Sequence, residues 1–191
     1  MSSQMVDRRE DIIVFCQETL EKELIKTKIE VLENCDSNAD QIFESLKDSF
    51  NRVFKKAKNK KVKFIVVNFL YSSLMTDSRE FLIAVYNELF YLDLGAVSEK
   101  VKFQFLDFYF NRDVENLTNL AEKKFLRLTE YERAAIKIEC GLQYLKILSS
   151  CLQKILLKVT QLETFKQMEK EEDFRIILGE YMGQGEVIYG K

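Results

Sequence analysis

The sequence predicts an α+β fold: a helix-dominated bundle carrying a small three-stranded antiparallel meander, with an all-α bundle as the competing arrangement. Three observations lead there. Apolar residues recur at three- and four-residue steps over most of the chain, the mark of amphipathic helices. One interval, 62–94, is instead rich in β-branched and aromatic residues between turn signals, which suits strands. Third, 191 residues that are 47% hydrophobic and 31% charged can bury one real core, so a single domain over 1–191 is expected.

The first helix is expected over 6–34, on the spacing of Ile13, Cys16, Leu20, Leu24 and Val31. Asp36 to Asp40 supplies a break with capping side chains. A second helix over 39–58 follows Ile42, Leu46, Phe50, Val53 and Ala57, and ends in a lysine run that favours the helix dipole. Candidate strands cover 62–71, 81–86 and 89–94. Helices over 99–110 and 114–127 come next, separated by Asn111-Arg112-Asp113.

Thr129 and Glu132 form a capping-box signature, the sharpest local signal in the chain. A long helix over 130–172 is expected behind it, with Ile138, Gly141, Leu145, Leu148, Leu152, Ile155, Val159 and Leu162 as its seam. A break near Thr160–Thr164 is the alternative. The glycine-bearing segment 178–191 reads as an irregular tail.

Several chemistries are excluded or disfavoured. Without histidine, the chain holds no Ser-His-Asp or Cys-His arrangement and no histidine-ligated metal. Cys16, Cys35, Cys140 and Cys151 lack the paired spacing of a structural zinc site, so they read as buried free thiols with no metal and no cofactor. Within one straight helix, Cys140 and Cys151 would lie about 16 Å apart, too far for a bond. Glu171-Glu172-Asp173 reads as a solvated face, and Asp77, Asp93, Asp107 and Asp113 as turn or capping residues. The Gly183-Gln184-Gly185 segment matches neither phosphate-loop pattern.

A reducing, cytoplasmic setting is the expectation. The opening residues lack a signal-like apolar core, and no stretch approaches the roughly 20 apolar residues of a membrane span. The formal net charge of -2 makes no global case for nucleic acid.

Two surfaces remain as candidates. Arg52, Lys55, Lys56, Lys58, Lys60, Lys61 and Lys63 form a dense basic run that could meet nucleic acid or another anion. Leu162, Phe165 and Met168 form a narrow apolar stripe, flanked by charge, at the end of the long helix. That stripe suggests a helix-pair interface. Tyr71, Arg79, Tyr86, Tyr91 and Asp93 are candidate lining if the meander holds a pocket. The leading functional expectation is a non-catalytic interaction or regulatory protein that self-associates or binds a protein partner. The alternative is an anion-binding module acting through 52–63.

Overall fold

Helix-forming and strand-forming periods alternate along the chain, and the structure follows them in a helix-dominated α+β fold with a mixed sheet. This computed structural model describes residues 2–190, with side chains from residue 8 onward. Its elements in order are α1 (Ser2–Ser37), α2 (Ala39–Lys56), β1 (Lys61–Phe69), α3 (Tyr71–Met75), β2 (Glu80–Tyr86), β3 (Val97–Lys102), α4 (Asp107–Phe125), α5 (Glu130–Val159), α6 (Glu163–Lys166), β4 (Glu169–Glu180) and β5 (Gly185–Gly190). The chain divides into two units. One comprises residues up to Glu33 together with 104–147, and the other comprises 34–103 and 148–191.

The first unit is helical. Ile12, Cys16, Leu20 and Val31 of α1, Phe110, Leu117 and Ala121 of α4, and Ile136, Cys140 and Tyr144 of α5 are among its buried positions. The expected capping box is present. The Thr129 N–H donates to Glu132 Oε2 at 2.7 Å, and the Glu132 N–H reaches back to Thr129 Oγ1 at 3.3 Å. Arg8 fixes the turn before it. Its Nε lies 2.9 Å from Glu132 Oε1, and its Nη2 donates to the Phe125, Leu126 and Arg127 carbonyls. Those are carbonyls left open where α4 ends, in a turn that holds Leu126 and Arg127 at positive φ.

The second unit is built on a five-stranded sheet in the order β3-β2-β1-β4-β5. β1, β2 and β3 form an antiparallel meander, with Phe64 opposite Tyr86 and Val85 opposite Val97. β4 joins the other edge of β1 in parallel, and β5 turns back antiparallel on β4. Val62, Ile65, Val67, Ile83, Val85 and Ile176 are fully buried. The α2 stripe Ile42, Leu46, Phe50, Val53 and Ala57 is buried too, as the periodicity requires. Leu148, Leu152, Ile155, Leu156 and Val159 bury the latter half of α5.

Five expected features differ in the structure. The third meander strand is 97–102, not 89–94. Asn87 and Asp93 turn the backbone through 89–94 by accepting the Leu89 and Gly95 N–H groups, and Phe90 takes a positive φ. The helix expected over 99–110 is strand β3 followed by a short turn into α4. Val101 and Phe103 are buried while Lys100 and Lys102 are exposed, a two-residue period. Asn111-Arg112-Asp113 interrupts nothing, for α4 runs through it.

The helix expected over 130–172 stops at Val159. The Gln161 and Leu162 N–H groups bond the Lys158 and Val159 carbonyls in a tightened last turn, and Leu162 then takes an extended backbone. The tail expected to be irregular is strand. β4 buries Phe174, Ile176 and Leu178 at two-residue steps, and β5 pairs along it. Gly179 and Gly185 are needed where the two strands cross closely, since a Cβ on Gly179 would stand 2.3 Å from the Gln184 carbonyl oxygen.

Candidate functional site

α1 and α4 leave between them, in the first unit, a cleft of about 550 Å³. Arg112 organises its floor. Nη1 donates to Glu30 Oε2 at 2.7 Å, Nη2 to Thr27 Oγ1 at 2.8 Å, and Nε to Asp113 Oδ1 at 3.1 Å. The second oxygen of Asp113 accepts from the Tyr144 hydroxyl at 2.8 Å. Helix geometry explains the grouping: Arg112 and Asp113 are consecutive on α4, so one faces α1 while the other reaches toward α5.

The electrostatics of this network are those of a fixed support. The hydrogen bond from Arg112 holds the Glu30 carboxyl below its usual range, and that to Glu30 holds the guanidinium above its own. Burial, then the Asp113 charge, pushes the Tyr144 phenol well up, so it keeps its proton. Around the mouth stand Glu23, Lys26, Asn116, Asn119 and Lys123. Charges of both signs line the cleft, and the Arg112 guanidinium and the half-buried Asp113 carboxylate already have partners.

In the second unit, a cluster of rings covers one face of the sheet. Phe64, Tyr86, Phe90 and Tyr91 pack around Val66 and Ala84, with Phe64–Phe90 centroids 4.9 Å apart and Phe90–Tyr91 centroids 4.3 Å apart. Tyr91 donates to the buried Asn68 Oδ1 at 3.2 Å and accepts the Met182 N–H at 3.1 Å. Burial, followed by Tyr91, Tyr181 and Asp93, pushes the Tyr86 phenol up to about 12.

The loop bearing these rings is pinned by one ion pair. Lys60 Nζ donates to Asp93 Oδ2 at 2.5 Å and to the Gly95 carbonyl at 2.6 Å. Burial pushes the Asp93 carboxyl up, but the hydrogen bonds from Lys60 and from the Asn87 and Gly95 amides outweigh it and hold the group below its ordinary range. Of the lining residues considered from sequence, Tyr86, Tyr91 and Asp93 meet at this loop. They pack on the sheet face there. Tyr71 instead bonds Glu180 and packs on Phe69, and Arg79 lies at the start of β2 with positive φ.

The basic run is distributed and mostly paired. Arg52 and Lys56 share Glu99 at 2.7 and 2.8 Å, Lys60 holds Asp93, Lys61 pairs with Glu171 at 2.8 Å, and Lys63 pairs with Asp173 at 2.8 Å. The acidic cluster 171–173 therefore lies on β4 beside β1, rather than on a projecting helix. Lys55 and Lys58 are exposed and have no ion pair among the described residues. The apolar stripe is also spent differently. Phe165 and Met168 are buried, and the Phe165 ring packs on Phe54 and Phe174 at 5.5 and 5.8 Å. Leu162 is half-buried beside Phe43 and the exposed Leu157, along a shallow groove of about 430 Å³. This correction follows from the helix ending at Val159, which turns the stripe back onto α2 and β4.

All four cysteines are free and buried. Burial, then Glu139, pushes the Cys16 thiol up to about 12, and burial also holds Cys140 well above its usual value. Contact with Cys35, together with burial, raises Cys151. These three thiols stay protonated near neutral pH and are poor nucleophiles, whereas the hydrogen bond with Cys151 holds Cys35 below its usual value. Among the described residues, no group of three or more Cys, Asp or Glu side chains is placed to hold a metal ion, and no helix is long and apolar enough to cross a membrane. Compared with protein-family models, with curated proteins and with solved structures, the chain matches none.

Proposed function

We propose that the chain is a non-catalytic interaction protein that works by self-association. Exposed large apolar side chains carry the reading. Ile25, Phe108, Leu126 and Tyr131 stand more than half exposed in the first unit, as do Leu89, Leu92, Leu94, Leu157 and Met182 in the second. Scattered exposed apolar residues are normal, but runs of them on rigid elements lose free energy in water that a partner recovers. Leu92 and Leu94 flank Asp93, whose bonds to Lys60, Asn87 and Gly95 hold the loop in place. Several of the groups that could do chemistry are committed elsewhere. Tyr144, Asp113 and Arg112 bond one another in a chain, and the thiols are buried.

The anion-binding alternative is the weaker reading, because Glu99, Asp93, Glu171 and Asp173 neutralise most of the basic run. Sedimentation velocity over a hundredfold range of protein concentration tests the proposal. A sedimentation coefficient that rises to a dimer plateau is expected. A monomer throughout defeats it, and salt-sensitive binding of mixed oligonucleotides would put the alternative in its place.

A further inference from the structure

Cys35 and Cys151 are 116 residues apart in sequence and meet in the core of the second unit. Cys35 stands in the last turn of α1, and Cys151 in the latter half of α5. Both are fully buried and both are free. The Cys35 thiol donates to the backbone carbonyl of Cys151 itself at 3.9 Å, and the two thiols are hydrogen-bonded to each other. Two ion pairs flank this contact. Asp36, next to Cys35, pairs with Lys154, one turn beyond Cys151, and Asp40 pairs with Lys158 one turn further on. Asp36, Asp40 and Lys154 are exposed, and Lys158 is half-exposed. Pairs this wet hold little. The end of a helix opens locally at a fraction of the cost of unfolding, so a small solute reaches the thiols through the last turn of α1.

We propose that Cys35 and Cys151 are a redox pair, which a peroxide oxidises to an intrachain disulfide fastening the end of α1 to α5. Cys35 is the attacking sulfur. The hydrogen bond with Cys151, opposed by burial and aided by the Lys154 charge, holds Cys35 below its usual value, while the same bond and burial keep Cys151 protonated. The Cys35 thiolate attacks one oxygen of hydrogen peroxide. The O–O bond breaks, hydroxide leaves and takes up the proton that Cys35 gave off, and the sulfur becomes a sulfenic acid. The Cys151 sulfur then attacks the Cys35 sulfur. The S–S bond forms, the S–O bond breaks, and the hydroxyl leaves with the Cys151 proton as water. Two thiols are oxidised and one peroxide is reduced to two waters. Cys16 and Cys140 are the internal comparison, since burial raises both and neither supplies a thiolate near neutral pH.

The full chain, in its native fold by circular dichroism, is exposed to hydrogen peroxide at neutral pH, alkylated, digested and mapped by mass spectrometry. The expected product is a single chain lighter by two hydrogens, with one bond joining the Cys35 and Cys151 peptides, and dithiothreitol should reverse it. In Cys151→Ala the sulfenic acid has no second thiol to meet, and dimedone should capture it at Cys35. In Cys35→Ala, Cys151 should stay unmodified. The wild-type map alone decides the pairing, whatever the core substitutions do to folding. Four thiols still free after peroxide, a bond mapped to Cys16 and Cys140 instead, or a bond between two chains overturns the pair. Dimedone at Cys151 in Cys35→Ala overturns the choice of attacking sulfur.

Discussion

Replacing Asp93 with alanine should destabilise the protein by about 3 kcal/mol, the low end of the range for removing one member of a buried ion pair. The Asp93 side chain is 4% exposed and that of Lys60 is 17%. Oδ2 receives Lys60 and the Asn87 amide, and Oδ1 receives the Gly95 amide. Truncation leaves two backbone donors and one ammonium without their acceptor. Lys60 keeps the Gly95 carbonyl and some water, which is why the lower bound applies. Lys60→Met should cost less, about 1–2 kcal/mol, because both amides still hold the carboxylate. The double variant should then lose less than the sum of the two.

The same group predicts a pH dependence. Its folded pKa lies below the ordinary aspartate value of 3.8. The stability it contributes is therefore fully present above 3.8 and is lost as pH falls through the lower folded value. Urea unfolding of wild type, Asp93→Ala and Asp93→Asn, followed by circular dichroism from neutral pH down to acid, measures both effects. A loss under about 0.5 kcal/mol for Asp93→Ala would place the pair among inconsequential surface contacts and refute the reasoning.

Three further outcomes are expected. Leu152→Ala, at a fully buried site on α5, should lower stability by about 2–5 kcal/mol in the same assay. Tyr144→Phe removes a donor from Asp113 and should cost about 1–2 kcal/mol, with the near-ultraviolet spectrum otherwise retained. Lys58→Glu should be nearly neutral while Lys60→Glu, placing a carboxylate beside Asp93, should be strongly destabilising; equal midpoints for the two would contradict the pairing in the structure.

Local, repeating signals were legible in the sequence; pairings at long range were not. The α2 stripe and the Thr129–Glu132 cap needed only neighbours within a few residues, and both stand as read. The meander was half legible. β-Branched density marked β1 and β2, but Leu89 to Leu94, apolar and aromatic without a β-branched residue, lies in a loop. What sets the loop apart is Asn87 and Asp93 bonding the backbone two residues on, a choice composition cannot reveal. The alternation of Val97, Glu99, Val101 and Phe103 was visible, yet Val101, Phe105 and Phe108 also fit a helical step, and the wrong period prevailed.

The candidate site shows why a short apolar stripe is a poor guide to a surface. Leu162, Phe165 and Met168 fit a helix edge only while the helix continues. Once it ends at Val159, the same residues turn inward, and Phe165 lies between Phe54 and Phe174 instead of facing solvent. Burial at these positions depends on β4 docking beside β1, a pairing between segments more than a hundred residues apart that no local pattern encodes. Arg112 was hidden for the same reason, since its partners Thr27 and Glu30 lie 85 and 82 residues away. The outer stripe of α1 is the reverse case. Val14, Ile25 and Ile29 lie outside the apolar spacing read for this helix, and only the burial of Ile12, Cys16, Leu20 and Val31 on the opposite face shows that they are left exposed. An apolar face that folding leaves uncovered is where association has free energy still to gain.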